Sequence, residues 1–178
     1  MKKALMILSS LLVAVGAFAQ GQVNFATKGP DYNAPVFVGS LTGAKADGPA
    51  YMVQLYAGAT QSALTAVGAP LPFRTGAAAG NWFATAVTIN NVDPVSKSAF
   101  VQVRAWATAS GATYEAALAS GSGFGTGNIT SVTPTVAPAV PADLTGLQSF
   151  AISGVVPEPS ILALGALGGL ALLLRRRK

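Results

Sequence analysis

Ala99-Phe100-Val101-Gln102-Val103-Arg104-Ala105-Trp106-Ala107-Thr108 is the stretch whose pattern decides the fold. Side chains of an extended strand point to opposite faces in turn. Val101, Val103, Ala105 and Ala107 therefore share a small apolar face, and Phe100, Gln102, Arg104, Trp106 and Thr108 share the other. The run Tyr51–Ala57 repeats the pattern, with Tyr51, Val53, Leu55 and Ala57 on one face. Further short apolar or alternating runs are Val23–Thr27, Val36–Gly39, Trp82–Ile89 and Ser149–Val155. Between them stand turn signals at Asp47-Gly48-Pro49, Asn90-Asn91 and Asp93-Pro94. Many short strands with frequent turns predict a mainly β region folded as an antiparallel β-sandwich. Ala59–Val67 and Thr113–Ala119 read as short helices, the second capped by Thr113, although Glu115 misses capping-box spacing. Gly121–Asn128 is rich in Gly and Ser and reads as a mobile loop. Thr133–Ala142, with Pro134, Pro138 and Pro141, reads as an extended edge or connector.

Outside this region both ends carry targeting chemistry. Lys2 and Lys3 form a basic start, Ala4–Gly16 an apolar stretch, and Ala17-Phe18-Ala19 a small-residue cleavage site. That order predicts a signal peptide over residues 1–19, with Ala17 and Ala19 as the signal-peptidase site and Gln20 as the mature start. At the other end, Val156 leads into Pro157-Glu158-Pro159, then an uncharged, mostly apolar run from Ser160 to Leu174, then Arg175, Arg176, Arg177 and Lys178. The two prolines fix φ and push their neighbours to extended backbone, which displays Glu158 on a stiff segment. As a helix, the apolar run spans roughly 22 Å at ~1.5 Å per residue, short of the ~30 Å hydrocarbon core. It predicts a single C-terminal transmembrane helix, anchored by snorkelling of the basic end and leaving the rest of the chain outside. The chain thus divides into a signal peptide (1–19), a β-sandwich ectodomain (20–155) and a tail (156–178).

The tail resembles the PEP-CTERM sorting signal of Gram-negative bacteria. Pro157, Glu158 and Pro159 correspond to its motif, and the apolar run and Arg175–Arg177 to the segments behind that motif. The resemblance implies that an exosortase, an integral-membrane cysteine protease, recognises the motif and removes the tail. It also implies a destination at the cell surface or in an exopolysaccharide matrix. Four pieces of the exported region resemble exported proteins of verrucomicrobial type that carry this tail. They are Val53-Gln54-Leu55-Tyr56-Ala57-Gly58, Val103-Arg104-Ala105-Trp106, Thr113-Tyr114-Glu115-Ala116-Ala117 and Leu147-Gln148-Ser149-Phe150. This second likeness implies domain boundaries and no particular activity.

Composition narrows the function classes. The net charge of +5 comes from the ends. Between them Lys28, Lys45, Arg74, Lys97 and Arg104 face Asp31, Asp47, Asp93, Glu115 and Asp143, so the exported region is neutral and offers no case for binding nucleic acid. The chain has no cysteine and no histidine. Ser-His-Asp and Cys-His catalysis are excluded, and the commonest zinc ligands are missing. No metal or other cofactor is expected. Glycoside hydrolysis usually needs two cooperating carboxyl groups. Here the aspartates lie in turn or connector contexts, which leaves Glu115 as a lone candidate whose plainer reading is a solvated helix position. Sugar binding is the sharper option. Trp82, Trp106, Tyr56 and Tyr114 are the rings available to stack on sugars, and Arg104 and Trp106, two apart, are placed for a cation–π pair on one strand face. The competing reading puts these rings in the core. Asn128-Ile129-Thr130 matches a glycosylation sequon, read as coincidence within a loop. The sequence therefore points to a non-enzymatic exported surface or extracellular-matrix protein, with the membrane and an exosortase-like enzyme as partners. A carbohydrate-binding module using Arg104 and Trp106 on exopolysaccharide is the alternative.

Overall fold

The computed structural model describes residues 21–90, 92 and 98–153. The expected signal peptide, its cleavage site, the Pro157-Glu158-Pro159 motif, the C-terminal helix and the basic end lie outside the described residues. Among the described residues no helix is long and apolar enough to cross a membrane.

The alternating runs form the strands expected of them. β1 (Gly21–Phe25), β2 (Val36–Val38), β3 (Tyr51–Gly58), β4 (Thr65–Pro72), β5 (Thr85–Ile89), β6 (Ala99–Ala107), β7 (Phe124–Val132), β8 (Thr135–Val136), β9 (Ala142–Asp143) and β10 (Phe150–Ile152) are joined by turns and by an α-helix, α1 (Tyr114–Ser120). The largest sheet is antiparallel with order β4-β3-β6-β7. In a second sheet β1 pairs antiparallel with β5 along one edge; its other edge is shared by β8 and, in parallel, β9. β10 lies parallel to β2 in a two-stranded sheet. Residues of all three sheets meet in one apolar core. Val23 and Phe25 come from β1, Val36 from β2, Val53 and Leu55 from β3, Val101 and Val103 from β6, and Ile152 from β10. The alternation in β3 and β6 is the cause, because their small apolar faces both turn inwards.

Two expectations give way to tertiary pairing. The helix expected over 59–67 is a tight turn, closed by Ala63 N–H donating to Thr60 O at 3.2 Å, followed by β4. Gly58, Gly68 and Pro70 oppose a helix there, and the ladder to β3 supplies the backbone bonds instead. β4 is mostly exposed, and Pro70 and Pro72 blunt it as a template for further pairing. The loop expected over 121–128 is largely the start of β7. Gly125 and Gly127 are buried there because β10 crosses them at close range. A Cβ on Gly125 would collide with the Ala151 carbonyl oxygen, and one on Gly127 would lie 3.2 Å from the Phe150 ring. These glycines serve close backbone approach rather than mobility.

α1 forms as expected. The Ala116 N–H donates to the Thr113 side-chain oxygen at 3.2 Å, and Gly121, at φ +82°, closes the C-terminus. The helix packs on the large sheet through Tyr114 and Ala117, burying a second apolar cluster with Tyr56 and Trp106.

Candidate functional site

Of the ring and charge candidates, Tyr56, Trp106, Tyr114, Arg104 and Glu115 converge on the outer face of the β3–β6–β7 sheet, under α1. Register explains how. Met52 stands opposite Trp106, Gln54 opposite Arg104, and Tyr56 opposite Gln102, so Tyr56 lies diagonal to Arg104. Thr113 and the first turn of α1 then lower Tyr114 and Glu115 onto this group.

The Arg104 guanidinium carbon lies 4.1 Å from the centroid of the Tyr56 ring and 5.1 Å from that of Tyr114. The cation–π contact expected with Trp106 is made with these two tyrosines instead. Arg104 Nε donates to Gln102 Oε1 at 2.9 Å, and Gln102 Nε2 donates to the Gly127 carbonyl at 3.0 Å. The Tyr56 hydroxyl donates to Glu115 Oε1 at 2.5 Å. That bond holds the Glu115 carboxyl below its ordinary value; partial burial opposes it, and Arg104 adds a smaller lowering. Burial, followed by the Glu115 bond and charge, pushes the Tyr56 phenol well above the ordinary tyrosine range. Burial likewise raises Tyr114.

Trp106 is 1% exposed, and its ring belongs to the cluster beneath α1. Among the described residues its indole N–H has no acceptor, and a buried donor left unpaired costs of order 1–3 kcal/mol. Stacking a sugar on this ring would require α1 to leave. Trp82 is also interior. Its Nε1 donates to the Phe25 carbonyl at 3.1 Å, and its ring packs on Phe25 and Phe73 at centroid distances of 4.8 and 5.9 Å. The core reading of both tryptophans thus describes where they are.

The acidic candidates are scattered. Asp143 accepts from Asn24 Nδ2 at 2.7 Å in the β1 sheet, and Asp47 accepts weakly from the Gly76 N–H at 3.3 Å. Glu115 is taken up by Tyr56. Among the described residues no group of three or more acidic, His or Cys side chains is placed to hold a metal. The sequon residue Asn128 is tied down at both ends of its amide. Nδ2 donates to the Gly146 carbonyl, and Oδ1 accepts from the Gln148 N–H, each at 2.9 Å. Gln102 was not signalled by the sequence as part of the group. Its place two residues before Arg104, on the same face, is the pattern that carries it.

What this arrangement does chemically is hold. A cation sits against two rings and a glutamine, beside a carboxylate taken by a phenol, so that one short helix is fixed to one sheet. No curated protein and no solved structure shows significant similarity to the chain. Residues 155–178 match the PEP-CTERM protein-sorting motif. The chain therefore carries, next to a mainly β folded region, a sorting signal of the kind an exosortase processes, which implies export and membrane-associated sorting.

Proposed function

We propose that this is a non-enzymatic protein of the cell surface or extracellular matrix, exported with a signal peptide over 1–19 and delivered through its C-terminal tail. In this reading Ser160–Leu174 inserts into the inner membrane and Arg175–Lys178 stay on the cytoplasmic side. An exosortase-like enzyme cuts at or near Pro157-Glu158-Pro159. The observation that carries the proposal is the sorting-motif match over residues 155–178, which ends in Arg175–Lys178.

The folded region is consistent with a structural role. We read it as a β-sandwich, since the β4-β3-β6-β7 sheet and the β1 sheet send residues into a common core. Glu115, the best single candidate for acid–base chemistry, already accepts a hydrogen bond from Tyr56, with its carboxyl held below the ordinary range. A general acid at neutral pH calls for the opposite shift. The verrucomicrobial likeness belongs to this proposal as well, and rests on the four sequence pieces around Tyr56, Arg104, Glu115 and Gln148.

The test is intact mass and fractionation of the native protein beside a Glu158→Ala variant. The expected result is wild type without its tail, and a variant that keeps the tail in the membrane fraction. An uncut wild type, unchanged by the substitution, would mean a plain C-terminal anchor and defeat the exosortase reading.

A further inference from the structure

Away from the tyrosine group, three backbone bridges build a cleft. Lys28 pairs with Asn33 across the turn closed by Gly29 N–H donating to Tyr32 O, and Lys45 pairs with Phe37. The Arg74 N–H donates to the Asn81 carbonyl at 2.8 Å. Gly80 ties these pieces together. Its N–H donates to Ala46 O at 2.7 Å, and its carbonyl accepts from the Val36 N–H at 2.9 Å. Gly80 has φ +83°, and a Cβ on it would lie 3.0 Å from the Val36 carbonyl oxygen and 3.2 Å from Pro35. The position therefore needs glycine.

The result is a cleft of about 400 Å³ whose walls include Lys28, Asn33, Lys45, Arg74, Asn81 and Phe83. Among the described residues no acidic one lines it. Three of the five cations that lie between the targeting ends meet here. Among the described residues none of the three forms an ion pair with a carboxylate. Like charges gathered in one cleft repel one another, and a bound anion would relieve that repulsion. Phe83 is 69% exposed, and the Arg74 guanidinium lies 4.8 Å from its ring centroid. The cleft thus offers a fork-shaped cation, two ammonium groups, the Asn33 amide and an exposed aromatic ring. Its volume is of the size that takes a small-molecule ligand.

We infer that this cleft binds a carboxylated saccharide, such as a uronate unit of an acidic polysaccharide. The carboxylate suits the planar Arg74 fork and the two lysines. The hydroxyls suit the exposed Asn33 amide, and the C–H face of the sugar ring suits Phe83, while Asn81 braces the wall by donating to the Ala78 and Ala79 carbonyls. A phosphate polymer would use the cations but has no need of the ring or the amide. The choice of a saccharide rests on the extracellular placement proposed above.

The full-length protein in detergent micelles is titrated with polygalacturonate and with alginate, and separately with neutral dextran and with polyphosphate. Both uronate polymers are expected to bind, more weakly as salt rises from about 0.05 to 0.5 M. Arg74→Gln and Lys45→Gln are each expected to weaken binding about tenfold, while Lys45→Arg retains it. Phe83→Ala is expected to weaken uronate binding while leaving any residual polyphosphate binding unchanged. The unfolding midpoints should match wild type, since all these side chains are exposed. Failure of both uronate polymers to bind would overturn the inference. So would equal binding of dextran, tighter binding of polyphosphate, or wild-type affinity in the Lys28→Gln, Lys45→Gln, Arg74→Gln triple variant. A protein that loses its tail normally but ignores uronates would refute the cleft alone. One that binds uronates but keeps its tail at the membrane would refute the sorting proposal alone.

Discussion

Tyr56 and Glu115 are the residues whose ionisation the fold leans on. The Glu115 carboxyl is held below its ordinary value of 4.5 by the phenol that donates to it. Its stabilising contribution is thus present above the unfolded-state value and is lost as pH falls through the lower folded-state value. Tyr56 has the opposite sign. Its phenol is raised above 10.0, so its contribution is intact below that value and fades as pH rises beyond it. A Glu115→Gln variant should be less stable than wild type at pH 7 by about 0.5–1 kcal/mol, the range for a mostly exposed charged partner. That deficit should shrink as the pH is taken below 4.5, and thermal unfolding of both proteins from neutral to acid pH checks it. A deficit independent of pH would remove the carboxylate from the account. At this scale the sequence was legible where side-chain alternation speaks. It placed Arg104 and Trp106 on one strand face and left open whether the rings were ligand platforms or core. It did not foresee that Arg104 would choose tyrosines from β3 and α1, because that contact depends on how those two elements are laid against β6, not on spacing within β6.

Among the elements, the ones read correctly are those whose sequences carry a strict rhythm or explicit end signals. β3 and β6 each place apolar residues at every second position, and α1 has a cap residue, a run of good helix formers and a closing glycine. β4 and β7 were missed for a shared reason. Their sequences, Thr65–Pro72 and Phe124–Val132, are mostly small, polar or glycine, and their strand character comes from neighbours that already need a partner. Gly125 offers the cleanest check. A Gly125→Ala variant places a methyl group against the Ala151 carbonyl oxygen and 2.9 Å from Ile152 Cα. It should lose about 1–3 kcal/mol, as expected for overpacking, whereas Thr126→Ala next to it, at an exposed position, should stay within about 0.5 kcal/mol of wild type. Denaturant unfolding measures both. Equal effects would mean that β10 does not press on β7 as described.

At the level of the whole molecule, the C-terminal sorting motif was legible because targeting segments are written in composition and order rather than in contacts. The cleft of Lys28, Lys45 and Arg74 was not, because residues so far apart in sequence meet only through the bridges around Gly80. The arrangement of the last strand adds something more. Ser153 stands four residues before Pro157. Its N–H and hydroxyl both donate to the Phe124 carbonyl, at 2.8 and 3.0 Å, and its hydroxyl oxygen accepts from the Phe124 N–H at 3.2 Å. Just before it, β10 is paired with β2 over three residues only, Phe150 to Ile152. A protein tethered by its C-terminal end and dragged by flow would take the tension first at this clasp. β10 would then peel away while the eight-residue register between β3 and β6 still held. In single-molecule pulling from residue 153, rupture should begin with one short, low-force step, and Ser153→Ala should lower it further. A first event that extends the whole domain at once would show that the clasp is no mechanical fuse.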